Sequence, residues 1–223
     1  MQKIILPVAS YTVSVFASDT SEKSIFYLPT SAAEAERAFS LLSEPKPILA
    51  AIDGLDWACD LSPWQAPRAF GDGTDFGGGE EQFLAVLTER IIPETEKSLG
   101  ITPRCRGLVG YSLAGLFAVW ATYRVDCFDR VASVSGSLWF DGFLDFMRGN
   151  VMRKVPDVAY FSLGKQEKHV KNARMRAVED CTAAAVSLME AAGAETRFVL
   201  HDGGHFHETA ERTAAALRFL AER

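Results

Sequence analysis

The stretch 107–120, Gly-Leu-Val-Gly-Tyr-Ser-Leu-Ala-Gly-Leu-Phe-Ala-Val-Trp, constrains this chain more than any other. Leu108 to Tyr111 has the length and apolar content of a buried strand, and Leu113 to Ala121 reads as an apolar helix. Ser112 stands between them, so the chain must pass from strand to helix in one tight turn. The residues two positions either side of the serine must then be small, because a larger Cβ would clash where the two elements pack. They are Gly110 and Ala114, with Gly115 next. Such a turn holds a serine hydroxyl clear of the backbone at a strand end, as a nucleophile requires. The pattern G-x-S-x-A is common in itself, and the strand before and helix after give it weight. Its bland alternative is a serine that caps an ordinary helix.

The rest of the chain supplies the sheet to which this turn belongs. Strands are predicted at 11–17 (YTVSVFA), 24–28, 47–52, 130–134, 158–163 and 196–201. Helices are predicted at 31–42, 80–92, 170–191 and 208–221, with Pro93 kinking the second or opening a new turn to Ser98. The second half alternates strand and helix, which implies a parallel sheet covered on both faces. The polar connection 18–23 suggests that 11–17 and 24–28 form an antiparallel hairpin. Residues 53–79 form a long segment rich in Gly, Pro, Asp and Trp, and structureless loops of that length are usually functional.

Composition limits the possible roles. The chain has 223 residues, 48% of them apolar, enough for one large domain spanning 1–223. A net charge of −6 argues against nucleic acid or an anionic membrane as the main partner. Cys59, Cys105, Cys127 and Cys181 show neither C-x-x-C nor zinc spacing, so they read as free thiols, with no metal or other cofactor implied. The first residues lack the pattern of a signal peptide, and no apolar run reaches membrane-spanning length, so a cytoplasmic location is expected. Nothing in the pattern sets an oligomeric state.

A serine hydroxyl needs a base to take its proton, and the base needs a third group to fix its tautomer. Such groups gather at the carboxyl ends of strands in open α/β sheets. Of four histidines, His205 follows Gly203-Gly204 just past the last strand, where a loop can bring its ring to Ser112. His207 at the helix start is the fallback. His201 closes the strand, and His169 lies beyond a different one. The acid is expected after strand 158–163, where Glu167 is the only carboxylate in the turn; Asp157 lies at the wrong end, and Glu179 and Asp180 lie well into the helix. A water or backbone carbonyl orienting His205 remains the alternative. The oxyanion donors are expected to be the N–H of Leu113 and that of Gly54 or Leu55, after strand 47–52. Trp57, Trp64, Arg68 and Phe76 in the long loop, with Trp139 and Phe140, could wall a site for an aryl or catecholate ester. Their alternative is a satellite core beneath the loop.

Four stretches in order, GYSLAGLFA (110–118), SGSLW (135–139), SLGKQE (162–167) and GGHF (203–206), resemble the esterase D/putative esterase family of α/β-hydrolases, which includes siderophore (enterochelin-type) esterases. The resemblance covers about residues 45–220. It implies an α/β-hydrolase fold, a small-molecule ester substrate, and Ser112, Glu167 and His205 as nucleophile, acid and base. Two departures stand out. Ala114 replaces the commoner glycine, and the region before the sheet is short, without the additional N-terminal domain that siderophore esterases often carry. A non-catalytic binding module and an acyltransferase on the same scaffold are the competing expectations.

Overall fold

The structure is a computed structural model that describes residues 2–18, 24–69 and 73–223. In chain order its strands are β1 (Gln2–Val8), β2 (Tyr11–Ala17), β3 (Ser24–Pro29), β4 (Ile48–Asp53), β5 (Gln65–Ala66), β6 (Phe76–Gly77), β7 (Cys105–Tyr111), β8 (Arg130–Val134), β9 (Val158–Gly164) and β10 (Glu195–His201). Its α-helices are α1 (Ala32–Ser40), α2 (Trp57–Asp60), α3 (Glu80–Val86), α4 (Ile92–Leu99), α5 (Leu113–Ala121), α6 (Phe143–Gly149), α7 (Ala173–Arg176), α8 (Val178–Ala192) and α9 (Thr209–Ala221).

Eight strands make one sheet in the order β1-β2-β4-β3-β7-β8-β9-β10, while β5 and β6 form a separate two-stranded ribbon. From β4 to β10 all neighbours run parallel; β1 with β2 and β2 with β4 are antiparallel. This is the α/β-hydrolase fold. Strand residues alternate between two cores. Ile25, Tyr27 and Leu108 face the helices α3, α5 and α8, whereas Phe26, Leu28 and Val109 face α1 and α9. Alternate residues on opposite faces follow from the pleat. All nine residues of α5 are buried, so the helix that carries Ser112 at its head is fixed on every side.

The opening differs from expectation. β2 pairs with β1 and β4, and β4 lies between β2 and β3, so 11–17 and 24–28 are not a hairpin. Most of the connection 18–23 lies outside the described residues. The true hairpin is β1–β2, turned through Ala9 and Ser10 with Ala9 at φ 53°. Alanine and serine give no turn signal at such a position, where Asn-Gly is the usual mark. Further features were not predicted: α2 and the β5–β6 ribbon inside 53–79, helix α6, and a π-helical turn in the helical run before Pro93. α6 forms in the Phe-rich region after β8. Residues 80–99 continue as one helical run through a π-helical turn, Leu87–Ile91, where the Ile92 N–H reaches back to Leu87. Pro93 lacks the N–H for the next regular bond and its ring crowds the carbonyl of residue 89, which accounts for the widening. Among the described residues no helix is long and apolar enough to cross a membrane.

Candidate active site

Ser112 directly follows β7 at φ 59°, ψ −121°, a conformation that costs a non-glycine residue roughly 1–3 kcal/mol. Its surroundings hold it there. The Ser112 N–H donates to Val134 O (3.0 Å), and Ser112 O accepts from the N–H of Ser137 (3.0 Å), Gly115 (3.0 Å) and Leu116 (3.2 Å). A Cβ at Gly110 would lie 1.9 Å from Ala114 O, so the strand and helix approach as closely as the sequence required. Ser112 Oγ lies 3.1 Å from His205 Nε2, and His205 Nδ1 lies 2.8 Å from Glu167 Oε2. The three side chains named from the sequence therefore form one continuous chain of contacts. They follow β7, β9 and β10, whose carboxyl ends lie along one edge of the parallel sheet with β8 between β7 and β9.

Glu167 is 7% exposed and fully engaged. Its Oε1 accepts from the Gly164 N–H (2.6 Å), Ser135 Oγ (2.7 Å) and Arg212 Nη1 (3.1 Å), leaving Oε2 for His205. Burial pushes this carboxyl up. The bonds from His205, the Gly164 N–H and Ser135, with the charge of His205, outweigh burial and hold it below the ordinary glutamate value. Arg212, on α9 and 1% exposed, also donates Nη2 to Asp202 O (2.8 Å) and Gly204 O (3.0 Å). One guanidinium thus ties the acid to the loop that carries His205. Tyr111 Oη donates to His205 O and fixes the same loop from the strand that leads to Ser112. Within that loop Gly203 sits at φ 85°, and a Cβ there would meet His207 Cγ at 2.4 Å.

Arg212 and Ser135 were not anticipated. Arg212 reads in sequence as a surface charge on a helix. Ser135 belongs to the SGSLW stretch, and its position directly after a sheet strand is the signal that could have raised it. The other histidines stand apart: His201 faces Tyr160 Oη (3.3 Å), His207 is exposed beside Glu208, and His169 lies at the cavity rim.

Over Ser112 opens a cavity of about 920 Å³. Trp57 and Trp139 line it, as expected; Trp64 and Arg68 do not. Trp64 packs edge-on against Phe140, 5.9 Å between ring centres, and donates Nε1 to Asp141 O, while Phe76 packs on Phe140 at 5.0 Å. These rings are packing residues, as in the alternative reading, but they join the core under α3, α5 and α8 and form no separate cluster. The Arg68 guanidinium donates to Thr74 O within its own loop. Gly54 and Leu55 also lie away from the cavity, and the Gly54 N–H is taken by Asp53 Oδ1 (2.7 Å). The strand beside β7 is β3, not β4, so the loop next to Ser112 is the one after β3, where Pro29 and Thr30 line the cavity. Because β1 went unrecognised, the expectation was displaced by one strand.

Residues 30–209 match the family model Esterase, described as "Putative esterase". The chain belongs to that family. Over 144 residues it is 28% identical to the uncharacterized protein YbbA of Bacillus subtilis, a match that covers 63% of this chain and 58% of that protein's length. Among solved structures, the siderophore hydrolase EstA of Aspergillus nidulans superposes with a TM-score of 0.80 at 21% identity, covering 99% of this chain and 94% of that one. An IroE-like serine hydrolase from Shewanella oneidensis gives 0.80 at 16% identity, covering 99% and 80%. At these identities the likeness is one of fold.

Proposed function

We propose that Ser112 is the nucleophile of this esterase, His205 its general base and acid, and Glu167 the group that orients and charges the imidazole. The observation that carries the reading is the contact chain Ser112 Oγ–His205 Nε2–His205 Nδ1–Glu167 Oε2. In the first half-reaction His205 takes the hydroxyl proton as Oγ attacks the ester carbonyl, then returns it to the leaving alcohol. In the second, water attacks the acyl-enzyme by the same route. The Leu113 N–H, at the head of α5, faces the oxyanion, and the loop after β3 supplies the second donor through Ser31, since Pro29 has no N–H and the Thr30 N–H is given to Ile52 O (3.0 Å). This replaces Gly54 and Leu55 in that role.

The substrate is a small-molecule ester with a bulky aryl or acyl part, the siderophore type among the candidates. The breadth of the cavity supports this, as does the name of the Aspergillus nidulans neighbour. The four free thiols fit the reducing cytoplasm as its location.

Ser112→Ala tests the mechanism. The variant should fold, lose at least about 10³-fold in kcat on p-nitrophenyl butyrate, and fail to react with a fluorophosphonate that labels the native protein. Retained turnover or retained labelling would remove Ser112 from the mechanism.

A further inference from the structure

The cavity walls come from both cores. Leu28, Ala35 and Val109 belong to the layer under α1 and α9, whereas Trp139 and Val178 belong to the opposite layer. The space therefore extends past Ser112 on both sides of the sheet edge, with apolar lining in both directions. At about 920 Å³ it sits near the upper end for small-molecule sites and greatly exceeds what an acetyl group needs.

Charge is distributed one way. Among the described residues no lysine or arginine lines the cavity. Apart from the engaged pair Glu167 and His205, the titratable groups on its wall are His169, Glu34 and Tyr111, whose hydroxyl is engaged with His205 O. Glu34 projects from α1. Its Oε2 accepts from Thr209 Oγ1 of α9 (2.9 Å), and its Oε1 pairs with Arg37 (3.0 Å), which lies outside the cavity lining. A carboxylate entering this space would lose its water to apolar walls without meeting a lining lysine or arginine, at a large desolvation cost. It would also meet the like charge of Glu34.

We propose that this esterase selects esters that are uncharged and apolar on both sides of the scissile bond, and that Glu34 turns anionic esters away. The proposal rests on Ser112 as the nucleophile. It narrows the siderophore-type candidates to those whose reacting portion carries no free catecholate or carboxylate, since the arginine expected to greet such a group, Arg68, is elsewhere.

The test compares two p-nitrophenyl esters of equal chain length, the hexanoate and the mono-adipate, which differ at the far end by methyl against carboxylate. The wild type should favour the hexanoate in kcat/KM by about 100-fold or more. Glu34→Gln should narrow that ratio about 3- to 5-fold, the size set by a partly exposed, partly paired charge, and Glu34→Lys should narrow it further. Thr209→Val removes the hydrogen bond to Glu34 and keeps its charge, so its ratio should stay within about twofold of wild type. Equal use of both esters by the wild type overturns the selection and leaves the catalytic reading intact. An unchanged ratio in both Glu34 variants, or an equal change in Thr209→Val, overturns the role of Glu34. Turnover of neither ester overturns the catalytic reading, and this proposal with it.

Discussion

Two buried glutamates in this molecule are in opposite electrical condition. Glu167 is 7% exposed, and its carboxylate receives the Gly164 N–H, Ser135, Arg212 and His205. Glu80, the first residue of α3, is 0% exposed, and neither carboxylate oxygen has a hydrogen-bond partner among the described residues. Burial pushes both carboxyls up. At Glu167 the donors overturn that push and the group stays ionised; at Glu80 burial prevails, only partly opposed by the charge of Arg124, and the carboxyl lies well above its ordinary value. Burial does not decide whether an interior carboxyl carries charge. The number of donors aimed at it does. Donors converge at Glu167 because the carboxyl ends of β8, β9 and β10 lie adjacent there, and nothing comparable converges on the head of α3.

The strongest way to break this contrast is Glu167→Gln. The amide cannot supply the negative charge that stabilises a protonated His205, so kcat should fall by about 10³–10⁴-fold. Arg212 would then be a buried cation without its counter-charge, and the variant should also lose about 3–5 kcal/mol in denaturant unfolding. The pH dependence has a definite sign. A carboxyl whose folded value is depressed stabilises the fold above its unfolded value, about 4.3, and that stabilisation disappears as pH falls through the lower folded value. Glu167→Gln should lose this part of the acid sensitivity. Near-normal turnover would assign the third catalytic group elsewhere.

Arg212 probes the same network one step further out. Arg212→Met leaves Asp202 O and Gly204 O without this donor and frees the loop that carries His205. The expected loss is about 3 kcal/mol in stability, with kcat down about 10²-fold from misplacement of the base and KM little changed. Arg212→Lys keeps the charge but not the fork, and should recover part of kcat. If the loss of kcat in both variants matched only the fraction unfolded, Arg212 would be a structural residue with no hand in positioning His205.

The sequence made the three side chains of the contact chain legible and left their supports hidden. Ser112, Glu167 and His205 each follow a strand of a parallel sheet, so one-dimensional order predicted three-dimensional proximity. Gly110 and Gly203 carried backbone demands that can be read from residue type alone. Arg212 was hidden because helical periodicity alone does not tell a buried arginine from a solvated one; its partners sit 8, 10, 45 and 77 positions away. Edge strand β1 was hidden because its turn, Ala9-Ser10, has ordinary residues in an uncommon conformation, and that one omission moved the oxyanion expectation from the loop after β3 to the loop after β4. The aromatic loop misled for a different reason. Trp64 and Phe76 are as fit for a wall of packed rings as for a ligand, and residue type does not distinguish the two.

Glu80→Gln is the smallest effect and the sharpest probe of the contrast. Gln has nearly the shape of a protonated glutamate, so packing is preserved, and the hydrogen-bond deficit is similar in both. What changes is the proton cost. A carboxyl with a raised folded value destabilises the fold progressively as pH rises from its unfolded value, about 4.3, toward the folded one. Glu80→Gln should therefore unfold at the same denaturant concentration as wild type near pH 4, and gain about 1–2 kcal/mol by pH 8. Glu167→Gln should show no such gain at any pH. A Glu80 variant that is less stable than wild type at pH 8 would mean that the carboxylate is ionised and held by a partner, and the two glutamates would then be alike.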